Sequence, residues 1–177
     1  MAENKHEGIR AVVDKVEDAV GGVIGKVSAS MASGSTAAFV EKARIGDLYE
    51  IEAAQIALAR ARHPAIRQYA EQMVEDHMTS SHQLMSALRT NEAAAKLPAG
   101  LDTRHSTMLD HLRKAGDEDF DRTYVDQQML AHEETMTLFE GYAESGDNPQ
   151  LASFARGTIP ALRDHHGMAR VIGSRLQ

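Results

Sequence analysis

Four side chains that can bind a metal ion are spaced so that a helical bundle brings them together. Glu50, His77, His132 and His165 each fall near the middle of a predicted long helix, on the face that otherwise carries apolar residues. Imidazole and carboxylate groups are ligands for Zn²⁺, Fe²⁺ and Cu²⁺ in proteins. The sequence therefore predicts a mononuclear His₃Glu metal site in the core of a bundle.

The four residues are also expected at a similar height along the bundle. Around the turn predicted at His63, Glu50 lies thirteen residues before and His77 fourteen residues after. Around a second predicted turn near Asp147, His132 precedes by about fifteen residues and His165 follows by about eighteen. At a rise of about 1.5 Å per residue, the two members of each pair are level to within about one helical turn.

A metal-free arrangement of the same residues is the main alternative. A buried carboxylate without a partner costs several kcal/mol, so Glu50 needs a cation, a proton or a metal ion. Hydrogen bonds between Glu50 and the histidines satisfy that need without metal. In that case the polar cluster fixes the register of the helices and the protein is a structural or interaction module.

The pattern of carboxylate-bridged di-iron bundles is absent. Such bundles need two Glu-x-x-His pairs. The residues three before the core histidines are Val74, Met129 and Leu162. No nucleophile–base pair or glycine-rich phosphate loop is present either, so binding is favoured over catalysis and an oxidoreductase acting on oxygen species is the least favoured function. His63, His82, His105 and His111 are expected on the solvated surface, and His166 is expected to be less buried than His165.

The spacing of apolar residues predicts four long helices that carry the site. The predicted helices cover about 35–62, 64–90, 119–144 and 150–175, with a shorter helix at about 102–114. Two turns each join a pair of helices into a hairpin, one at His63-Pro64 and the other from Ser145 to Pro149. The segment near Pro98 provides the long connection between the two hairpins. The sequence predicts an all-α, ferritin-like antiparallel four-helix bundle with a short helix in the long connection.

An additional amphipathic helix is predicted before the bundle. Its apolar residues alternate steps of three and four, as in a heptad seam. The seam comprises Ile9, Val13, Val16, Val20, Val23 and Val27. Gly21, Gly22 and Gly25 weaken the helix, and Ser28 to Ser35 is predicted to be a flexible linker. The expected division is therefore an N-terminal segment, 1–34, and a bundle, 35–177.

This N-terminal helix is expected to pack on the bundle or on another copy of the chain. Membrane-surface binding is less favoured, because the seam has no aromatic anchor and the polar face carries charges of both signs. The net charge of −7 argues against a nucleic-acid partner. The chain has no cysteine, which excludes disulfides and thiolate metal sites. No signal peptide or membrane span is recognised, so a cytoplasmic location is expected.

Several short motifs resemble one bacterial family. Phe39-Val40, Glu50-Ile51 and Asp76-His77, followed by Phe120-Asp121, His132 and Ile159-Pro160 with His165, are similar to the family catalogued as domain of unknown function 4142. The resemblance covers about residues 36–173 and implies a ferritin-like bundle without assigned biochemistry. Its repeated residues correspond to Glu50, His77, His132 and His165, and it implies that related proteins are often exported. Together with the residue pattern, it favours a metal-binding bundle, non-catalytic or weakly redox-active, with stress protection as one expected role.

Overall fold

The computed structural model describes residues 2–32, 34–90 and 95–176, with side chains described for 10–32, 34–89 and 95–176. All regular structure in these ranges is helical, which confirms the all-α class. The helices are α1 (Ala2–Ala32), α2 (Thr36–Arg60), α3 (Pro64–Thr90), α4 (Thr103–Lys114), α5 (Phe120–Ser145) and α6 (Pro149–Gly173). No helix in the described ranges is long and apolar enough to cross a membrane.

Two helical hairpins, α2–α3 and α5–α6, form a four-helix bundle. Helix α2 packs against α3 and α5, and α6 packs against α5 and α3. Helix α4 lies in the long connection and contacts α2 and α5. This is the bundle that the sequence predicts, with helix ends within three residues of the expected positions.

Side chains in the turns fasten the two hairpins. At the first turn, Asp121 accepts hydrogen bonds from the backbone N–H groups of Arg62 (3.1 Å) and His63 (2.9 Å). At the second turn, the Asn148 side chain caps the first turn of α6. Ser35 is the N-cap residue of α2, but its side chain makes no capping hydrogen bond. Instead, Asp147 accepts from the backbone N–H of Thr36 at 3.0 Å, which ties α2 to the turn between α5 and α6.

The apolar core consists of two clusters with a polar layer between them. One cluster is built around Tyr69, Met73 and Tyr124, and the other around Phe39 and Phe139. Along α3, α5 and α6, the core histidine falls between residues of the first cluster and residues of the second. The histidine layer therefore replaces apolar packing across the middle of the bundle.

Helix α1 packs lengthwise against α5 through small residues. The prediction of a flexible linker at 28–35 is wrong over most of that range, because α1 continues to Ala32. Ala29 and Ala32 are buried, and a Cβ atom added at Gly22 would approach the Leu130 side chain to 3.0 Å. Gly22 and Gly25, which weaken the isolated helix, thus permit its close approach to α5. The division at residue 34 stays a prediction.

Candidate metal centre

Three histidines from three helices converge in the polar layer. His77 on α3, His132 on α5 and His165 on α6 each offer one ring nitrogen, and these nitrogens lie within 4.8 Å of one another. The ring centroids are 5.3–5.7 Å apart, and the three residues are at most 5% exposed. An ion bound at about 2.1 Å needs these nitrogens about 3.5 Å apart. Side-chain shifts of less than about 1 Å would bring the three nitrogens to that spacing.

The second ring nitrogen of each histidine is already held by a hydrogen bond. The acceptors, each at 2.9 Å, are Asp47 Oδ1 for His77 Nδ1, the Gln128 carbonyl for His132 Nδ1 and Asp76 Oδ2 for His165 Nε2. In the neutral imidazole, a nitrogen that donates leaves the other nitrogen with a free lone pair. The remaining nitrogens are His77 Nε2, His132 Nε2 and His165 Nδ1, and none finds a hydrogen-bond partner among the described residues. Carboxylate and carbonyl acceptors, like those that hold the second nitrogens here, orient metal-binding histidines in proteins.

Burial and neighbouring charges set the pKa values of the three imidazoles. Burial lowers the pKa of His132 well below its usual value, and the nearby imidazoles of His77 and His165 lower it further. Burial also lowers the pKa of His165, an effect that its hydrogen bond to Asp76 only partly offsets. Burial opposes protonation of His77 too, but the hydrogen bond to Asp47 and the charge of Glu50 raise its pKa overall. His132 and His165 are therefore neutral at neutral pH, which is the form in which an imidazole can act as a metal ligand.

The carboxylate behind His77 is itself fixed in place. Asp47 is 5% exposed and accepts a second hydrogen bond from Ser81 Oγ at 3.1 Å. The guanidinium of Arg44 donates to that same hydroxyl at 2.6 Å. This chain of contacts links α2 to α3 and limits rotation of the His77 ring.

Glu50 lies beside the histidines but outside the group of converging atoms. Its Oε2 accepts from Gln128 Nε2 at 2.6 Å, and its Oε1 is 3.5 Å from His132 Nδ1, the nitrogen that faces the Gln128 carbonyl. Oε1 has no hydrogen-bond partner among the described residues. Burial raises the pKa of Glu50 to about 7, against the effect of the nearby His77 imidazole and of the Gln128 hydrogen bond. All four predicted residues share one interior, and a ligand role for Glu50 stays a prediction.

A small cavity adjoins the histidines. Its volume is about 40 Å³, and His77, His165 and Asp76 contribute to its wall. The rest of the lining mixes polar residues, such as Thr135 and Thr158, with apolar ones, such as Phe139 and Leu162. A cavity of this size accommodates a water molecule or another small ligand. A metal ion held by three imidazoles would therefore have a fourth ligand within reach.

The other histidines divide between surface and interior. His82 is exposed, as expected, and His166 is half-buried. The expectation of a solvated surface is wrong for His105, which is 7% exposed and pairs with Asp102 at 2.7 Å, because α4 packs this face against Tyr49. It is also wrong for His111, since α1 covers that side chain.

His111 contacts several carboxylates of α1. Its Nδ1 lies 2.9 Å from Asp18 Oδ1, and its Nε2 lies 3.8 Å from Asp14 and 3.6 Å from Glu17. The atoms that Asp14, Glu17 and His111 offer also fall within 4.8 Å of one another. These carboxylates are partly or largely exposed. The arrangement fastens α1 to α4.

Sequence reasoning missed the two aspartates that orient the site. Asp47 lies one turn before Glu50 on α2, and Asp76 directly precedes His77 on α3. A carboxylate three residues from an inward-facing glutamate shares its helix face, so Asp47 could have been included in the predicted set. Periodicity gives no such signal for Asp76, because it contacts His165 on the neighbouring helix and not the histidine beside it in sequence. In the sequence it stands out only within the family motif Asp76-His77.

Fold and site together define an all-α helical bundle with a histidine-lined candidate metal centre. The family model described as domain of unknown function (DUF4142) matches residues 23–172. The chain belongs to this family, which confirms the resemblance found in the sequence. The match begins at residue 23 and so includes the C-terminal part of α1.

A solved structure with a related fold is described as "CopM in the Cu(II)-bound form". It is 18% identical to this chain, with a TM-score of 0.69, and the alignment covers 81% of this chain and 98% of the other. At this identity the likeness shows the helical-bundle fold alone. No curated protein matches the sequence.

Proposed function

We propose that this protein binds one divalent transition-metal ion, with copper as the first choice, through His77, His132 and His165. One observation carries the proposal: three buried imidazoles bring ring nitrogens within 4.8 Å of one another, and each ring has a nitrogen without a hydrogen-bond partner among the described residues. A buried polar atom without a partner costs about 1–3 kcal/mol. A bound cation satisfies all three nitrogens at once.

Copper is favoured by the chemistry of the donors and by the related fold. Imidazole suits copper, zinc, iron and nickel, and affinity for a given nitrogen site is highest for Cu²⁺ among the divalent first-row ions. The related structure is described as a Cu(II)-bound form. Zn²⁺ and Fe²⁺ are the competing ions that the experiment below includes.

The fourth coordination position is open to Glu50 or to a small ligand. Three protein ligands leave a position that water or another ligand fills. The cavity of about 40 Å³ beside His77 and His165 supplies room for such a ligand. Glu50 offers Oε1, which has no hydrogen-bond partner among the described residues, so replacing Glu50 by Gln distinguishes the two arrangements.

A metal-free polar cluster is the second candidate. It is favoured by the raised pKa of Glu50, about 7, which lets this carboxyl group be neutral and buried without a cation. It is also compatible with the carboxylate partners of His77 and His165, which already satisfy one nitrogen of each ring. In that case the layer fixes helix register and binds no ion. A cytoplasmic metal-buffering role in stress protection belongs to the first candidate alone.

Metal binding is tested on the full-length protein purified without a His tag and treated with chelator. Cu²⁺, Zn²⁺ and Fe²⁺ are titrated separately by calorimetry, and bound metal is measured after dialysis. The expected result is one tightly bound ion per chain for copper. The electron paramagnetic resonance spectrum of the Cu²⁺ protein should show hyperfine coupling to three imidazole nitrogens.

Matched variants identify the ligands. His77→Ala, His132→Ala and His165→Ala should each abolish stoichiometric binding, whereas His82→Ala, on the exposed face of α3, should leave it intact. Glu50→Gln should change the copper spectrum only if Glu50 fills the fourth position. Failure of all three metals to bind stoichiometrically, or binding that survives loss of two core histidines, contradicts the proposal.

A further inference from the structure

The face of α1 that points away from the bundle is an almost continuous apolar surface. Ten large apolar side chains are exposed in the described part of the chain, and eight of them lie on α1. These eight, here called the α1 seam, are Val12, Val13, Val16, Val20, Val23, Ile24, Val27 and Met31, each 49–83% exposed. The side chain of Ile9, which the sequence also places in the seam, lies outside those described. A soluble chain rarely leaves such a stripe uncovered.

The seam lies opposite the face that docks on the bundle. If Val13, Val20 and Val27 are assigned to position a of a heptad, Val16 and Val23 occupy position d. The residues at position f, on the opposite face, are Asp18, Gly25 and Ala32, and all three are buried against the bundle. The bundle therefore leaves positions a and d free to meet another helix along their whole length.

We infer that the α1 seam is a homodimer interface, in which α1 of one chain packs lengthwise against α1 of a second copy. The alternation of three and four residues is the period that two supercoiled helices require. Val occupies both the a and the d positions of this repeat, which are the positions through which helices pack in a coiled coil. The same seam thus supplies both halves of a self-complementary contact.

The apolar area of the seam matches that of a stable dimer. At roughly 100 Å² of apolar surface per aliphatic side chain, the eight residues expose on the order of 500 Å². A typical stable interface buries about 800 Å² per partner, of which about 60% is apolar, or roughly 500 Å². The seam therefore reaches this size without a contribution from the rest of the molecule.

The charges of α1 argue against a lipid surface as the occupant. Helices that bind anionic membranes present free lysines and arginines beside an apolar face. Here Lys15 pairs with Asp126 at 2.7 Å and Lys26 pairs with Glu133, so carboxylates of α5 hold the two lysines of α1 whose side chains are described. Arg10 is the remaining described cation of this helix, and it is exposed. The net charge of −7 adds repulsion from anionic lipid. A second copy of the chain fits the seam better than a membrane does.

The test measures the mass of the full-length protein by light scattering and sedimentation across a range of micromolar concentrations. Wild type should have twice the chain mass of 19.3 kDa. The double variant Val20→Glu/Val23→Glu should weaken dimerisation by about a hundredfold or more, because it places charges in the apolar contact. Val16→Lys should act in the same direction with the opposite charge. Circular dichroism checks that each variant stays helical.

Val171→Glu is the matched control, because Val171 is 46% exposed on α6, outside the seam. This variant should remain a dimer. A wild type that stays monomeric throughout the range overturns the inference, as does a dimer that the seam variants leave unchanged. Monomers that cosediment with vesicles of phosphatidylcholine and phosphatidylglycerol through the seam overturn it in favour of a membrane surface. None of these outcomes depends on whether metal binds in the core.

Discussion

Replacing His132 by Ala separates metal-dependent stability from the intrinsic stability of the bundle. In the metal-free protein two effects oppose each other. Removing a buried ring leaves a cavity, which costs about 3–5 kcal/mol for a side chain of similar size. The ring also carries a buried nitrogen without a partner among the described residues, and removing that nitrogen recovers about 1–3 kcal/mol. The net loss expected in chelator is therefore about 2 kcal/mol.

Metal changes this balance for the wild type alone. An ion present at about a hundredfold excess over its Kd stabilises the folded protein by about 2.7 kcal/mol. The variant keeps only two of the three imidazoles and should lose that increment. The difference in unfolding free energy between wild type and His132→Ala should thus widen from about 2 kcal/mol in chelator to about 5 kcal/mol with metal.

Urea unfolding followed by circular dichroism measures both quantities. Wild type, His132→Ala and the surface control His82→Ala are each unfolded in chelator, in Cu²⁺ and in Zn²⁺. A metal-free polar cluster predicts no response to chelator or metal, together with a larger loss in the variant. If chelator leaves the wild-type curve unchanged and no metal raises its stability, the metal site does not exist.

Three further predictions follow from neighbouring contacts. Burial raises the pKa of Glu50 from 4.5 to about 7, so metal-free stability falls as pH rises through this window. In chelator above pH 7, Glu50→Gln should therefore have a higher free energy of unfolding than wild type, by up to roughly 3 kcal/mol, and should unfold at higher urea. Below about pH 4.5 this difference in unfolding free energy should vanish. Asp47→Asn should weaken metal binding measured by calorimetry about 10–100-fold, with little change in metal-free unfolding, because it loosens the His77 ring. Gly21→Ala should raise the unfolding free energy by about 0.5–1 kcal/mol; in the same assay Gly25→Ala should gain nothing or lose stability, because its Cβ would overlap the Glu134 carboxylate.

The bundle could be predicted from the sequence because local signals and packing agree. On α3 the residues that follow one another at steps of three and four from Ile66 to Leu88 are all buried, and Pro64 begins the helix as expected. The first residues of α4 and α6 could be predicted because the side chains of Asp102 and Asn148 cap the N-termini of these helices. Where the cap comes from a distant part of the chain, as Asp147 does for α2, the sequence gives no local signal.

The N-terminal helix shows why the rest could not be predicted. Its valine seam carries the strongest periodic signal of the segment, yet these residues are exposed in the single chain. The docked face consists of Gly22, Gly25, Ala29 and Asp18, residues that hydrophobic periodicity does not identify as a contact surface. Close packing of these small residues depends on the shape of the α5 surface that they contact. The local sequence of α1 carries no information about that surface, so the contact could not be predicted.

The candidate centre could be found from sequence for a related reason. A buried polar residue in an otherwise apolar stripe is costly, and natural sequences keep such departures chiefly where function or specificity requires them. His77, His132 and His165 interrupt the apolar stripes of three helices at the same level of the bundle. Each burial of a polar side chain is unfavourable, and all three occur at one place in the fold, which indicates a shared site. Of the two aspartates that orient the rings, Asp47 shares the helix face of Glu50, whereas Asp76 lies outside the buried stripes because a supporting residue needs only to reach its histidine. A site of this kind is therefore visible in sequence through its ligands and through supporting groups on the same helix face, whereas a group such as Asp76 is identified only from the packed helices.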